Sequence, residues 1–238
     1  MASEKILWFE ELSSTNKTAW QYIDKQSGFC IATGFQSSGR GQAGNSWASE
    51  PNKNLLASYI FSLDIKPAEC FAISMITSLA VVSLLNSYNC TAKIKWPNDI
   101  IVDNKKIAGI LIENIVSGNR VEKSIIGVGL NLNQTEFAGL PNATSLKLKL
   151  KTDLDIKTIA SELQRYLIAG FEKNKKPSRE LKESYFELLF KKDKSIYRDN
   201  NSTFEGKIVD IDFDGALKIQ KSDNCTKSYY FKEVQMLY

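Results

Sequence analysis

The 238-residue chain contains no histidine. This absence excludes Ser-His-Asp and Cys-His catalysis, and it excludes metal sites built on imidazole ligands. Proton transfer must therefore use carboxylates, lysine, tyrosine or groups of the substrate. The chain has only four cysteines, and none of them is spaced as CxxC, so we expect neither a disulfide framework nor a zinc site.

Several functional segments are also missing from the sequence. The N-terminal stretch has no basic region followed by an apolar one, no apolar run approaches the length of a bilayer span, and no GxxxxGK[ST] phosphate loop occurs. The formal net charge is only +4, which is weak for a protein that binds nucleic acid. We expect a reduced, soluble, cytoplasmic protein that binds neither membranes nor nucleic acid.

The hydrophobic pattern predicts an α+β fold, in which a mixed sheet packs against helices. From about residue 195, short alternating strands with a D-G turn predict a small β-barrel, so we place domains at 1–192 and 193–238. Helices are predicted from Ser14 or Thr15, from Pro67 through a long buried segment, and over 156–190 with a break near Pro177. Strands are predicted at 5–12, 29–35, 55–63, 92–96, 99–102, 106–115 and 121–132.

The stretch GRGQAGNSW, at residues 39–47, matches the dinucleotide pattern G-x-G-x-x-G. A dinucleotide turn requires a helix after the third glycine, but Pro51 and an apolar strand follow here, so this function is not expected. Two alternatives stay open at this point. The segment is either a flexible surface loop, or a loop whose glycine backbone and Arg40 guanidinium bind an anion.

The stretch KWPNDIIVDNKKIAGILIEN predicts a rigid turn followed by a hairpin that turns at Asp103 and Asn104. Asp99 and Lys106 lie on its two strands and should be neighbours in space. Lys106 could simply extend to water along an apolar strand. The alternative is an anionic site, because one lysine, one arginine and one aspartate suit phosphoryl or nucleotidyl transfer.

Four motifs occur in the order found in biotin protein ligases: SSTN, FQSSGRGQAGNSW, KWPNDIIVDNKKIAGILIEN and IIGVGLNLN. The chain therefore resembles this family, also called biotin–[acetyl-CoA-carboxylase] ligases. The resemblance implies a catalytic domain of the class II synthetase type and an SH3-like C-terminal barrel. Regulatory members begin with a DNA-binding winged helix, whereas these motifs begin near residue 12, so we expect a monofunctional ligase without repressor activity.

The resemblance implies that biotin reacts with ATP, which Mg²⁺ accompanies, to give biotinyl-5′-AMP and pyrophosphate. Biotin would then pass to a lysine of a biotin carboxyl carrier domain. Exposed edge strands are compatible with a homodimer, which the family uses. A lipoate–protein ligase and a non-catalytic biotin-binding module remain as alternatives, although lipoate ligases typically carry a histidine in this region.

The resemblance also implies roles for individual residues. Lys106 and Arg40 are the anion-handling pair, and Asp99 is a further catalytic residue whose role is Mg²⁺ binding, orientation of the acceptor lysine or a turn cap. The other candidate ligand contacts are Ser14, Thr15, Asn16, Gln36, Gly39, Gly41, Gln42, Trp47, Asn98, Gly109, Gly127, Gly129 and Asn131. Structural alternatives are helix capping for Ser14 and Thr15, packing for Trp47, and a β-bulge for Gly127 and Gly129.

Overall fold

The computed structural model describes residues 6–200 and 202–237, and these form two β-sheets with helices packed around them. The strands are β1 (Ile6–Leu12), β2 (Phe29–Gln36), β3 (Leu55–Ile65), β4 (Lys93–Lys95), β5 (Asp99–Val102), β6 (Lys105–Ser117), β7 (Arg120–Leu130), β8 (Ser195–Asp199), β9 (Thr203–Ile211), β10 (Leu217–Lys221), β11 (Thr226–Tyr229) and β12 (Val234–Leu237). The α-helices are α1 (Thr15–Ala19), α2 (Phe71–Ser87), α3 (Leu146–Leu150), α4 (Ile156–Lys173) and α5 (Arg179–Glu187).

The larger sheet has seven strands in the order β1-β2-β3-β7-β6-β5-β4. Strands β1 and β2 pair in parallel and the other neighbours pair antiparallel, so the sheet is mixed, as predicted. The hairpin of β5 and β6 turns at Asp103 and Asn104, which adopt positive φ angles of 47° and 60°. A two-residue turn of this kind matches the twist of the strands, and it sets the register between them as far as Ile101, beyond which the register shifts by one residue.

Helix α2 packs with α4 against the larger sheet and fills the core. The segment Pro67–Ser87 is long and apolar enough to cross a membrane, so the expectation that no run approaches this length was wrong. Within an apolar 18-residue stretch of this segment, 67 % is buried inside the fold, because α2 is apolar on nearly all sides and is covered by protein. Helix α4 ends at Lys173 and α5 begins after Ser178, which confirms the break near Pro177.

The smaller sheet has five antiparallel strands in the order β11-β10-β9-β8-β12. The predicted barrel is wrong in one respect, because β11 and β12 lie at opposite edges and do not pair, so the sheet stays open. The predicted domain boundary falls just before β8. Several bonds tie this sheet to the core. Among them, the Phe71 amide donates to the Phe213 carbonyl over 3.0 Å, and the Trp96 indole N–H donates to the Gly215 carbonyl over 3.1 Å.

Candidate active site

A cavity of about 240 Å³ lies between the larger sheet, loop 39–47, the turn 96–99 and the smaller sheet. Strands β6 and β7 form its floor, and Leu56, Ala57 and Val128 add apolar surface. Most of the predicted site residues line this one space, although they are spread over more than 100 positions of the sequence. Those in the lining are Ser14, Thr15, Asn16, Gln36, Arg40, Gly41, Gln42, Trp47, Asn98, Asp99, Lys106, Gly109, Gly127 and Gly129.

One end of the cavity holds a buried network of neutral hydrogen-bonding groups. The Thr15 amide and hydroxyl both donate to Gln36 Oε1, over 2.7 and 3.1 Å. The Ser58 hydroxyl lies 2.7 Å from Thr15 Oγ1 and 2.6 Å from Asn16 Oδ1. Ser14 is the N-cap residue of α1, as predicted, but its side chain makes no capping hydrogen bond. We name Ser14, Thr15, Asn16, Gln36 and Ser58 the neutral end.

Three glycines on the floor make room for side chains that cross it. Gly109 and Gly129 lie opposite each other on β6 and β7, and a Cβ on Gly129 would come within 2.5 Å of Trp47 Cε2. A Cβ on Gly127 would overlap Asn16 Oδ1. The β6–β7 register is regular at these positions and shifts only between Ile115 and Val116, so the bulge alternative is wrong. Trp47 therefore both packs on the floor and lines the cavity.

Lys106 and Asp99 meet at the other end of the cavity, as the hairpin predicted. Their side chains form an ion pair of 2.6 Å, and Lys106 Nζ lies 5.4 Å from the centre of the Trp47 ring. Lys95 lies on the adjacent strand and also lines the cavity. Burial lowers the pKa of the Lys95 ammonium, the Asp99 carboxylate opposes this shift, and the Lys106 charge adds to it. We name Lys95, Asp99 and Lys106 the charged end.

Loop 39–47 closes on itself as a narrow hairpin above the cavity. The Gly41 amide donates to the Asn45 carbonyl over 2.7 Å, and the Trp47 amide donates to the Gly39 carbonyl over 2.9 Å. A short 3₁₀ turn, Gln42–Gly44, stands at its tip, and no α-helix follows before β3. The geometry of a dinucleotide-binding turn is therefore absent from this loop.

Arg40 does not meet Lys106 in this structure. Its guanidinium Nη2 donates to Glu113 Oε1 over 2.8 Å, and Glu113 lies seven positions beyond Lys106 on β6. Seven residues of an extended strand span roughly 23 Å, so Arg40 is held towards the neutral end. The two predicted cations share one cavity, but their side chains are paired with different carboxylates.

Three other predicted residues have structural partners. Asn98 Nδ2 donates to the Ile110 carbonyl over 2.9 Å, which fixes the turn 96–99 to β6. Asn131 Nδ2 donates to the Thr144 carbonyl over 3.0 Å, and neither Asn131 nor Gly39 is part of the cavity lining. Ligand contacts by these residues stay predictions.

Sequence reasoning missed several residues of the site. Ser58 and Glu113 do not line the cavity, but they bond to residues that do. Both stand within apolar strands, and a polar residue at such a position was the available indication. The smaller sheet also contributes to the lining, which no local motif could reveal. Its contributions are Tyr197, Leu217, Phe231, Val234, Gln235 and Met236.

Polar atoms without protein partners also lie in the cavity wall. Gln42 Oε1, Trp47 Nε1 and the Tyr197 hydroxyl are buried and have no hydrogen-bond partner among the described residues. Buried polar groups are normally paired with protein, water or ligand. This wall is therefore suited to a ligand that carries both hydrogen-bonding groups and apolar surface.

A protein cage for a metal ion is not found in residues 6–200 and 202–237, where no three His, Cys, Asp or Glu side chains cluster. Asp99 is the one carboxylate of the charged end, and it is paired with Lys106. Such an arrangement suits Mg²⁺ that arrives on the phosphates of ATP, since Mg²⁺ is commonly held by substrate phosphates with one or two carboxylates.

Comparison with known protein families identifies the chain. The sequence model of the "Biotin/lipoate A/B protein ligase family" matches residues 8–131, and that of the "Biotin protein ligase C terminal domain" matches residues 196–237. The "Bifunctional ligase/repressor BirA" of Bacillus subtilis is 28 % identical over 237 residues, covering 95 % of this chain and 72 % of that protein. The "Biotin--[acetyl-CoA-carboxylase] ligase" of Mycobacterium tuberculosis is 32 % identical over 147 residues, covering 60 % and 53 %.

Solved structures share the whole fold. The biotin protein ligase of Aquifex aeolicus in complex with biotin and ATP superposes with a TM-score of 0.80 at 23 % identity, covering 98 % of this chain and 99 % of that one. The Leishmania major ligase in complex with biotinyl-5-AMP gives 0.63 at 24 % identity, covering 94 % and 98 %. Because the first family model spans more than half of the sequence and the second spans the smaller sheet, the chain belongs to the biotin/lipoate A/B protein ligase family, as an enzyme of the biotin ligase type.

Proposed function

We propose that this chain activates biotin with ATP as biotinyl-5′-AMP and transfers it to a lysine of a biotin carboxyl carrier domain. One observation carries the proposal: a single cavity has a neutral hydrogen-bonding end and a charged end, joined by an apolar wall. Biotin has matching parts, namely a ureido ring, an apolar tail and a carboxylate. The relatives named biotin–[acetyl-CoA-carboxylase] ligases support the choice of acceptor.

The neutral end is suited to the ureido ring. Hydroxyl and amide groups can both donate to the ureido oxygen and accept from its N–H groups. Thr15, Asn16 and Ser58 are buried and bonded to one another, so their orientations are fixed in advance. Such preorganisation lowers the entropy that a ligand loses on binding.

The charged end is suited to the first chemical step. The biotin carboxylate attacks the α-phosphorus of ATP, the new bond is C–O–P, and pyrophosphate leaves with its electron pair. No side chain has to remove a proton, because the carboxylate is already a nucleophile. Lys106 stabilises the negative charge on the phosphate, and Asp99 holds the Lys106 ammonium in place.

In the second step, the neutral amine of the acceptor lysine attacks the carbonyl of the mixed anhydride. An amide bond forms, AMP leaves, and the proton of the amine passes to solvent or to a carboxylate. Asp99 is the nearest candidate for orienting this amine, since it lies at the mouth of the cavity beside Lys106. The protein contributes mainly position and charge, which is consistent with a chain that has no histidine.

The remaining expectations stay predictions. These are the pairing of two copies through exposed edge strands, the lack of nucleic-acid binding and the cytoplasmic location. Gel filtration with light scattering measures the first, and a gel-shift assay with duplex DNA measures the second.

The decisive experiment supplies the protein with MgATP and either biotin or lipoate, together with the matching carrier domain. Mass spectrometry of the carrier then identifies the modification. We expect a mass increase for biotin only, accompanied by AMP formation. Lipoylation would replace this proposal with the lipoate ligase alternative. Biotin binding without ATP turnover would replace it with a non-catalytic binding protein.

A further inference from the structure

Glu113 connects two parts of the site that are far apart in the sequence. Its Oε1 accepts from Arg40 Nη2 over 2.8 Å, and its Oε2 accepts from Asn16 Nδ2 over 3.0 Å. The same carboxylate therefore contacts loop 39–47 and the neutral end at once. In the part of the chain that the structure describes, Glu113 is the ion-pair partner of Arg40.

The bond to Asn16 fixes an amide whose direction matters. Asn16 Oδ1 accepts from Ser58, while Nδ2 donates to Glu113 and, over 3.3 Å, to the Leu111 carbonyl. An amide that is reversed would place Nδ2 against the Ser58 hydroxyl and Oδ1 against a carboxylate. The Glu113 carboxylate and the Leu111 carbonyl therefore select the same orientation of Asn16, and Glu113 makes the shorter bond.

The bond to Arg40 has a different character. The Arg40 side chain is 47 % exposed and that of Glu113 is 26 % exposed, so water screens the pair. Ion pairs of this kind change an equilibrium by at most about fivefold. Such a contact is strong enough to bias a loop and weak enough for the phosphate of a ligand to displace it.

We propose that Glu113 is a positioning residue with two functions. One oxygen fixes the Asn16 amide for ligand binding, and the other holds Arg40 in a resting position from which a phosphate-bearing ligand withdraws it. The Asn16 part of the proposal and the withdrawal of Arg40 by a phosphate rest on the proposed function, whereas the resting contact between Arg40 and Glu113 concerns the protein without substrates.

The test of the Arg40 part uses hydrogen exchange and no substrate. We compare wild type with E113Q, R40Q and the double variant, and we follow the Gly41 and Trp47 amides of loop 39–47. Each single variant should exchange up to about fivefold faster, and the double variant no faster than either single one. D64N removes the Arg120–Asp64 pair, whose arginine is about as exposed as Arg40, and should leave this loop unchanged. Equal loop exchange in R40Q and wild type would overturn the proposal, even if E113Q did not fold.

The test of the Asn16 part compares KM for biotin in E113Q and E113A. Glutamine keeps an acceptor oxygen for Asn16 but cannot attract Arg40, whereas alanine loses both. We expect KM for biotin to stay within about twofold in E113Q and to rise about fivefold or more in E113A, with kcat changed less than KM. Equal KM values in the two variants would refute this part. A wild-type protein that forms no biotinyl-AMP would instead refute the proposed function, while the exchange experiment would still decide the role of Arg40.

Discussion

The two ends of the cavity are built on opposite physical principles. The neutral end consists of buried hydroxyls and amides that are bonded to one another, with Thr15, Asn16 and Ser58 almost inaccessible to solvent. The charged end consists of partly exposed ions, and Lys106 keeps 35 % of its side chain exposed. Buried neutral bonds hold one geometry because breaking them leaves unpaired groups. Exposed ions exchange partners at low cost, which suits a site where phosphates enter and leave.

The largest effect is expected at the charged end. K106A should lower the rate of biotin-dependent ATP–pyrophosphate exchange by about 100- to 1,000-fold, because a positioned charge is lost from the transition state. K105A is the matched control, since Lys105 is the exposed neighbour on the same strand. Near-normal exchange in K106A would show that the charged end does not carry the first step.

A large effect on binding is expected at the neutral end. G127A places a Cβ against Asn16 Oδ1 and forces this side chain to move, so KM for biotin should rise by about tenfold or more. G129A, two positions along the same strand, instead meets the Trp47 ring. G129A should therefore shift the tryptophan fluorescence and weaken binding of the apolar tail of biotin. If the two variants gave the same pattern, the division of the floor between Asn16 and Trp47 would be wrong.

A moderate effect is expected from Arg40. R40A should release biotinyl-5′-AMP about tenfold faster, because a guanidinium lost from the loop removes a charge-assisted bond to the phosphate. Stopped-flow dilution of the preformed complex measures this rate. R120A removes an arginine of similar exposure at the far end of β7 and should release the adenylate at the wild-type rate.

The smallest effect is expected from pH. Because burial lowers the pKa of Lys95, its positive charge is lost at a lower pH than that of an ordinary lysine, whose pKa is 10.5. As pH rises through the lowered pKa, KM for ATP should increase by about threefold to tenfold while KM for biotin stays constant. K95R keeps its charge across this range and should remove the alkaline increase. An equal rise in both KM values would argue against separate ends.

Much of the site was predictable because its parts are local in the sequence. The turn at Asp103 and Asn104 pairs β5 with β6, and together with a one-residue register shift between Ile100 and Ile101 this pairing brings Lys106 beside Asp99. The polar motif at Ser14, Thr15 and Asn16 was also identifiable. Both cases depend on short-range geometry, in which turn type and strand period determine the outcome.

The unpredicted parts depend on contacts between distant segments. Arg40 and Glu113 are separated by 73 positions, and nothing in either local sequence specifies the other. Ser58 stands in an apolar strand, and the pattern of that strand predicts that Ser58 is buried but not which residues it contacts. The prediction that the smaller sheet closes into a barrel was wrong. Alternation of apolar and polar residues predicts strands, whereas closure depends on whether β11 and β12 pair with each other. Local rules cannot determine such pairings.

The bond between the Trp96 indole and the Gly215 carbonyl makes the smaller sheet a mechanical support for the turn that carries Asp99. If the smaller sheet separated first on heating, the cavity would lose one wall while the seven-stranded sheet stayed folded. The turn would also lose its hydrogen bond to Gly215. Catalysis would then fail at a lower temperature than the core. The heat tolerance of catalysis would then depend on the attachment of the smaller sheet, whose side chains Ile208, Ile211 and Ile219 belong to the same hydrophobic core as the larger sheet.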